Sequence, residues 1–173
     1  MSQDQPFAHD RYLLSAELEL RSLQPADAGL LASRLASMEP WQSLGFTVAS
    51  LERYLTRHDP GLYRYRILRT DVLAGVVAVR EPWLRGACLE LLGLFAECQG
   101  KGLGQQILAW LVAEVSIRTQ NLWTTVSETN HQARRFYAKQ GFIPIADIPD
   151  LIQRGSSETL LRLPLSGVKP VSS

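Results

Sequence analysis

The sequence places three glycines around a lysine directly after an apolar run. Gly100, Gly102 and Gly104 surround Lys101 in the segment AECQGKGLGQQ, which follows the apolar residues 91–95. Glycine lacks the Cβ atom that keeps a ligand away from the backbone, and a helix that begins at Gly104 offers unpaired N–H donors at its positive end. The loop therefore predicts a pyrophosphate site made of backbone amides. A glycine-rich turn without a ligand is the alternative.

Two familiar phosphate loops fail at this segment. A P-loop requires GxxxxGK[ST], but Phe95 stands where the first glycine belongs and Gly102 follows Lys101. The GxGxxG pattern of dinucleotide-binding proteins fails because its last position falls on Gln105 or on Ile107. Neither nucleotide hydrolysis nor dehydrogenase chemistry is indicated.

Three carboxylates are candidates for a general base. Glu90 interrupts the apolar strand predicted at residues 89–95. A carboxylate there should lie at an edge or face a cleft, because unpaired burial of a charge is costly. A solvent-exposed charge at the end of a strand explains Glu90 equally well. Glu97 and Glu128 are further candidates.

Asn130 and Tyr137 belong to a second segment that could carry chemistry, a helix predicted after residue 129. They lie seven residues apart, so both project from nearly the same helix face, about 10 Å apart along the axis. Both can therefore reach one extended ligand. Aromatic packing beside Phe136 is the alternative for Tyr137.

Local patterns predict the elements that position these residues. The strand, helix and strand over residues 89–126 predict a parallel pair with a right-handed crossover. The predicted fold class is α/β (α+β): a mixed, mostly antiparallel twisted sheet of about six to seven strands with one central parallel pair and about four helices. The predicted helices cover residues 25–38, a short segment capped by Ser50, 104–119 and 130–140, and the predicted strands cover residues 17–21, 63–68, 73–79, 89–95, 122–126, 143–148 and 159–163.

Length and composition bound the class of protein. The 173 residues, 46% hydrophobic and 20% charged, predict one globular domain over residues 1–173, with a core at about 16–163 and flexible termini. A formal net charge of +1 without a run of basic residues argues against a nucleic-acid partner, and the apolar runs are too short for a membrane helix. Cys88 and Cys98 are expected to be unpaired thiols of a cytoplasmic protein. The three histidines form no metal-ligand pattern, so no metal is expected.

Two segments resemble one known family. The run LLGLFAECQGKGLGQQILAWL resembles the acyl-coenzyme A motif of the GNAT (Gcn5-related N-acetyltransferase) superfamily, Gln/Arg-x-x-Gly-x-Gly/Ala, through Gln99, Gly102 and Gly104. The run NHQARRFYAKQGF is similar to the later signature of that superfamily, through Asn130, Ala133, Phe136, Tyr137, Gly141 and Phe142. One departure is the pair Phe95 and Ala96, where relatives often carry a small or acidic residue and a proline.

The resemblance implies an acetyl-CoA-dependent N-acetyltransferase that acts on a primary amine by direct transfer in a ternary complex. In that reading the Leu94 N–H polarises the thioester carbonyl, Tyr137 gives a proton to the departing thiolate and Glu90 is the base. The side chain of Lys101 is expected to point to solvent, because backbone amides bind the pyrophosphate. The implied cofactor-binding residues are Leu94, Gln99, Gly100, Lys101, Gly102, Leu103, Gly104, Asn130 and Tyr137.

The acceptor and the partners stay open at this stage. A small-molecule amine and a peptide or protein amino group are both candidates, and a homodimer is common in similar proteins. A non-catalytic acyl-CoA-binding or regulatory domain is the alternative function. Cys98 adjoins Gln99 and is the thiol to test for a covalent relay. Trp41, Phe46 and Trp83 are expected to shape the acceptor site, and Arg134, Arg135 and Lys139 either meet the 3′-phosphate of the coenzyme or form a solvated helix face.

Overall fold

The computed structural model describes residues 5–166 of the chain. Eight strands form one sheet, in the order β1-β2-β3-β4-β5-β6-β8-β7. The strands are β1 (Arg11–Leu13), β2 (Leu18–Ser22), β3 (Leu62–Arg69), β4 (Val72–Trp83), β5 (Gly86–Leu94), β6 (Asn121–Ser127), β7 (Ile143–Pro149) and β8 (Ser157–Pro164). The helices are α1 (Ala28–Ala36), α2 (Val48–Thr56), α3 (Leu103–Ser116) and α4 (His131–Lys139).

The sheet confirms the predicted fold class. The β5–β6 pair is parallel and every other neighbouring pair of the described sheet is antiparallel. There are eight strands instead of six to seven, because β1 has only three residues, too few to show an alternating pattern. No helix within residues 5–166 is long and apolar enough to cross a membrane.

Several element boundaries differ from the prediction, among them the start of α2 and the N-terminal limit of the core. The cap of α2 is Thr47, whose hydroxyl accepts a hydrogen bond from the N–H of Ser50 at 3.1 Å; the prediction that Ser50 is the cap was wrong. Ser50 lies in the first helical turn, and its hydroxyl accepts from the Thr47 N–H in return. At the N-terminus, Phe7 is buried and β1 precedes the predicted core boundary at residue 16. The outermost residues predicted to be flexible, 1–4 and 167–173, lie outside the described residues.

Helices cover both faces of the sheet. One buried cluster packs under α3 and α4 and includes Leu89, whereas the other packs under α1 and α2 and includes Leu91. Residues two apart in a regular strand share a face, so Leu89 and Leu91 should lie on the same side of β5. They lie on opposite sides because the strand is irregular between them.

The irregularity is a β-bulge at Glu90. Val79 of β4 pairs with Leu89 and the adjacent Ala78 pairs with Leu91, so the backbone of Glu90 has no pairing partner on β4. Pairing of β5 with β6 ends at the same point, with Leu89 opposite Thr124, although both strands continue. A gap therefore opens between the two parallel strands beyond Leu89.

Candidate active site

The gap between β5 and β6 leads into two cavities of about 410 Å³ each. The glycine-loop cavity is lined by Leu94, Gln99, Gly100, Gly102, Leu103 and Gly104, among others. The aromatic cavity is lined by Trp41, Phe46, Tyr54 and Trp83, among others. Both cavities are lined by Pro40, Trp41, Leu92, Asn130, Ala133 and Tyr137. They therefore meet at these residues, and an extended ligand in the first cavity can reach a second ligand in the other.

The glycine loop has the backbone that an anion site requires. Gly100 and Gly102 have φ angles of 70° and 75°, in the left-handed region that favours glycine, and a Cβ atom on either would stand in open space. Gly102 is the N-cap of α3, and the first turn of that helix contains no acidic residue. The backbone N–H groups of this turn lack carbonyl partners inside the helix. The loop thus fits a pyrophosphate. We call the concave backbone of residues 99–104 the cradle, and a side chain at either glycine would occupy it.

Gly104 and Lys101 are placed differently from the two open glycines. A Cβ atom on Gly104 would lie 3.4 Å from the Phe136 ring, so this glycine lets α3 pack closely against α4. The Lys101 ammonium donates a hydrogen bond to the Glu97 carbonyl at 2.8 Å, which folds the side chain back onto its own loop. The exposed side chain of Lys101 is therefore directed away from the cradle.

The end of β5 directs a backbone donor into the gap. The Phe95 N–H donates to the Ala74 carbonyl of β4 at 2.9 Å. Successive N–H groups of a strand point to opposite edges, so the Leu94 N–H points towards the gap. The Gln99 side-chain amide donates to the Leu94 carbonyl at 2.9 Å and joins the loop to the strand end. The structure thus brings the sequence-predicted Leu94 and Gln99 to the same cavity.

Tyr137 lies buried at the junction of the two cavities. Burial raises its pKa to about 12, a hydrogen bond with the Thr124 side chain acts in the opposite direction, and the nearby Cys88 adds to the rise. The phenol is therefore fully protonated at neutral pH and can donate. Asn130 caps α4 through its side-chain oxygen, which accepts from the Ala133 N–H at 3.1 Å.

Tyr137 is also a packed aromatic residue. Its ring contacts those of Phe136 and Phe142, with centroids 5.2 Å away in each case. The packing fixes the direction in which the phenol points, so the aromatic packing of Tyr137 is observed and its role as a proton donor stays a prediction.

Aromatic side chains from three segments form the wall of the second cavity. Trp41 and Phe46 come from the connector between α1 and α2, Tyr54 comes from α2 and Trp83 ends β4. The sequence predicts Trp41, Phe46 and Trp83 at the acceptor site, and the structure brings all three together. Tyr54 was missed, because nothing in the sequence distinguishes it from other helical aromatics.

Glu90 lies in the aromatic cavity with both carboxylate oxygens bound. The Tyr54 hydroxyl donates to Oε2 at 2.8 Å, and the Arg80 guanidinium forms an ion pair with Oε1. Arg80 is itself held by Asp59 at 2.9 Å. Burial first, and then the adjacent Glu90 charge, raise the pKa of Tyr54 above its usual range. The chain of contacts fixes the Glu90 carboxylate in the wall of the cavity.

The other two predicted bases lie outside both cavities. Glu97 is exposed and paired with Arg34 at 2.6 Å, and Arg34 lowers its pKa. Glu128 is exposed and accepts from the Ser157 N–H at 3.3 Å. Glu158 of β8, in contrast, was not predicted and does line the aromatic cavity. The signal that selected Glu90, a carboxylate in an apolar strand, also applies to Glu158, but the predicted strand began one residue later.

Some of the basic residues and thiols singled out in the sequence line a cavity, and others lie elsewhere. Lys139 lines the glycine-loop cavity, whereas Arg134 turns to β8 and donates to the Thr159 hydroxyl at 3.1 Å. Arg135 is exposed and lines neither cavity.

The two thiols differ in position. Cys98 lies outside both cavities, while the buried Cys88 lines the aromatic cavity, and burial raises the pKa of its thiol to about 12. Among residues 5–166, no group of three or more His, Cys, Asp or Glu side chains could hold a metal ion.

Comparison with known proteins assigns the architecture. Residues 24–142 match the model of the acetyltransferase (GNAT) family. The chain belongs to this family. No curated protein matches its sequence. As a member of the GNAT family it is an acyltransferase, and the resemblance inferred from the two motifs is confirmed.

Three solved structures illustrate the similarity. An acetyltransferase from Thermus thermophilus is 25% identical, with a TM-score of 0.69 over 86% of this chain and 97% of that one. RimL, the ribosomal L7/L12 alpha-N-protein acetyltransferase in complex with coenzyme A, is 15% identical, with a TM-score of 0.72 over 90% and 98%. The Vibrio cholerae spermidine N-acetyltransferase in complex with CoA and spermine is 18% identical, with a TM-score of 0.67 over 87% and 96%. The last two likenesses show the shared fold.

Proposed function

We propose that this GNAT protein is an acetyl-CoA-dependent N-acetyltransferase that transfers the acetyl group directly to a primary amine in a ternary complex. The observation that carries the proposal is the meeting of the two cavities at Tyr137. One cavity presents backbone donors suited to a pyrophosphate, and the other presents an aromatic wall with carboxylates suited to an amine. Two structural neighbours were solved with coenzyme A, which supports the choice of cosubstrate.

The glycine-loop cavity holds the cosubstrate in this proposal. The amides from Gln99 to Gly104 bind the pyrophosphate, and Lys139 is the basic side chain that lines the same cavity. Asn130 contacts the ligand where the two cavities meet. Acetyl-CoA, when bound, supplies the thioester whose carbonyl carbon the amine attacks.

Three groups of the chain serve the transfer. The Leu94 N–H donates to the carbonyl oxygen as negative charge develops there, and one such donor is worth roughly 3 kcal/mol of transition-state stabilisation. Glu90 accepts the proton of the amine through a water molecule. As the N–C bond forms and the C–S bond breaks, Tyr137 gives its proton to the departing sulfur.

The two thiols favour direct transfer over a covalent acyl-enzyme. A thiol must ionise to act as the nucleophile, and the raised pKa of Cys88 keeps it protonated at neutral pH. Cys98 lines neither cavity. A relay would therefore require a thiolate that the site does not stabilise.

A screen of amines tests the proposal. Release of coenzyme A from acetyl-CoA is measured with a panel of small primary amines and of peptides with free N-termini, since structural neighbours include acetyltransferases of both kinds of acceptor. Turnover with at least one acceptor, with the acetyl group found on its nitrogen, is the expected result. Tight binding of acetyl-CoA without turnover across the panel would instead identify an acyl-CoA-binding regulatory domain.

A further inference from the structure

Glu158 is a buried carboxylate with an unused oxygen in the aromatic cavity. The residue is 3% exposed, and its Oε1 atom has no hydrogen-bond partner in the described part of the chain. It lies in β8 between Ser127 of β6 and Ile148 of β7. The strand pairing on both sides holds its backbone in place.

The surroundings of Glu158 leave its charge uncompensated. Burial raises the pKa of the carboxyl most, the Ser127 side chain lowers it through a hydrogen bond, and the charge of Glu128 raises it further; within residues 5–166 no cation compensates the charge. Leaving a buried polar group without a partner costs about 1–3 kcal/mol, and more for a charge. Glu90 in the same cavity has no such deficit, because Arg80 and Tyr54 bind it. A cation from outside the chain would supply what Glu158 lacks.

The position of Glu158 separates it from the reacting groups. Its cross-strand partner Ser127 is three residues beyond Thr124, the residue whose side chain contacts Tyr137. Three residues of a strand span about 10 Å. An amine that reacts beside Tyr137 therefore leaves room for a second group of the same molecule to reach towards Glu158, along a wall of aromatic and aliphatic side chains.

We propose that Glu158 binds a second positively charged group of the acceptor, so that the preferred acceptors are dicationic amines with an apolar spacer. The inference deepens the proposed function and rests on it. The carboxylate pairs with the cation at the far end of the acceptor and orients the near amine towards Tyr137. Glu158 is thus a specificity residue, and it takes no part in proton transfer.

The test compares matched amines and matched variants. Values of kcat/KM are measured for cadaverine against pentylamine, and for hexamethylenediamine against hexylamine. The wild-type enzyme should prefer each diamine by at least about 10-fold, a typical effect of a desolvated ion pair. Glu158→Gln should reduce the preference to near unity, mainly through the KM of the diamine, with the KM of acetyl-CoA unchanged. Glu128→Gln, a nearby carboxylate outside the cavity, should retain the preference.

The possible outcomes separate this inference from the proposed function. Equal use of diamines and monoamines by an active enzyme, or a preference that survives in Glu158→Gln, would overturn the inference alone. A similar loss of kcat for both kinds of amine in Glu158→Gln would also overturn it, since that result assigns a proton-transfer role to the carboxylate. Binding of acetyl-CoA without turnover of any amine would overturn the proposed function.

Discussion

The two cavities of this protein are built in different ways. The glycine-loop cavity takes its donors from the backbone of one continuous segment, and Gly100 and Gly102 serve it by having no side chain. The aromatic cavity takes its groups from side chains on separate helices, strands and loops, including Tyr54, Glu90 and Glu158. Substitution at the first cavity should therefore act through backbone access and affect the cosubstrate, whereas substitution at the second should act through single side chains and affect the acceptor.

The largest expected effect comes from filling the cradle. Gly102→Val places a branched side chain where the pyrophosphate is proposed to bind, and it should weaken acetyl-CoA binding by about 1,000-fold, as expected for the loss of two hydrogen bonds to a charged group at about 2 kcal/mol each. Isothermal titration calorimetry measures the change.

Gly155→Val is the matched control for that substitution. Gly155 also has a positive φ, 84°, and open space at the Cβ position, but it lies outside both cavities. Both variants should lose about 1–2 kcal/mol of folding free energy from backbone strain. Equal loss of acetyl-CoA affinity in the two variants would contradict the proposed cradle.

The second largest effect tests the junction of the cavities. Tyr137→Phe removes the proton donor and keeps the ring, so kcat should fall by about 100-fold while the affinity for acetyl-CoA stays the same. Steady-state kinetics and calorimetry on the same preparation separate the two quantities.

Tyr65→Phe controls for the loss of a buried hydroxyl. Tyr65 is as deeply buried as Tyr137, lies away from both cavities and donates to the carbonyls of Phe7 and His9. This variant should lose about 1 kcal/mol of stability with kcat unchanged. An unchanged kcat in Tyr137→Phe would remove the tyrosine from the mechanism.

A smaller effect should appear in the stability of the free protein. The pKa of Glu158 is raised above its ordinary value of 4.5, chiefly by burial. A raised pKa in the folded state means that the carboxyl favours folding while it is protonated, and this contribution is lost as the pH rises from 4.5 through the raised value. Glu158→Gln lacks this loss, so at neutral pH its Tm should exceed that of the wild type by about 2–4 °C, the shift that about 1 kcal/mol gives in a protein of this size.

Thermal unfolding at pH 4 and at pH 8 measures the difference between Glu158→Gln and the wild type. The gap in Tm should open towards pH 8. A gap that is the same at both pH values would mean that the buried carboxylate has no electrostatic cost, and the contrast with the well-paired Glu90 would disappear.

The smallest effect is expected from the thiols. Cys88→Ala and Cys98→Ala should each keep kcat within about two-fold of the wild type, because a direct transfer uses neither thiol. Cys88→Ala should lose some stability, since the thiol is buried. Loss of all turnover in either variant would contradict direct transfer.

The difference between the cavities also explains how much the sequence could predict. The glycine loop, the helix that carries Asn130 and Tyr137, and the parallel pair are local or nearly local features. Motifs and periodicity were therefore sufficient to predict these elements from the sequence. Tyr54 and Glu158 join the site only through tertiary packing and strand pairing. The same holds for Cys88, which lines the aromatic cavity. The sequence directed attention to Cys98 instead, because Cys98 adjoins the glycine-loop motif.

The bulge at Glu90 could not be predicted, because it is defined by pairing with another strand. Residues 89–95 resemble a uniform apolar strand, and only the register with β4 shows that the backbone of Glu90 has no pairing partner. For the same reason β1 was not predicted: its three residues form a strand only because they pair with β2.

The bulge makes the opening between β5 and β6 depend on a single residue. Because Val79 pairs with Leu89 and the adjacent Ala78 pairs with Leu91, deleting Glu90 would restore regular pairing and leave every later side chain of β5 on its present face. Leu91 would stay in the core under α1 and α2, and Leu92 and Leu94 would stay beside the core under α3 and α4. Neither hydrophobic core requires the bulge, so the space between β5 and β6 depends on one inserted residue and not on the packing of the fold.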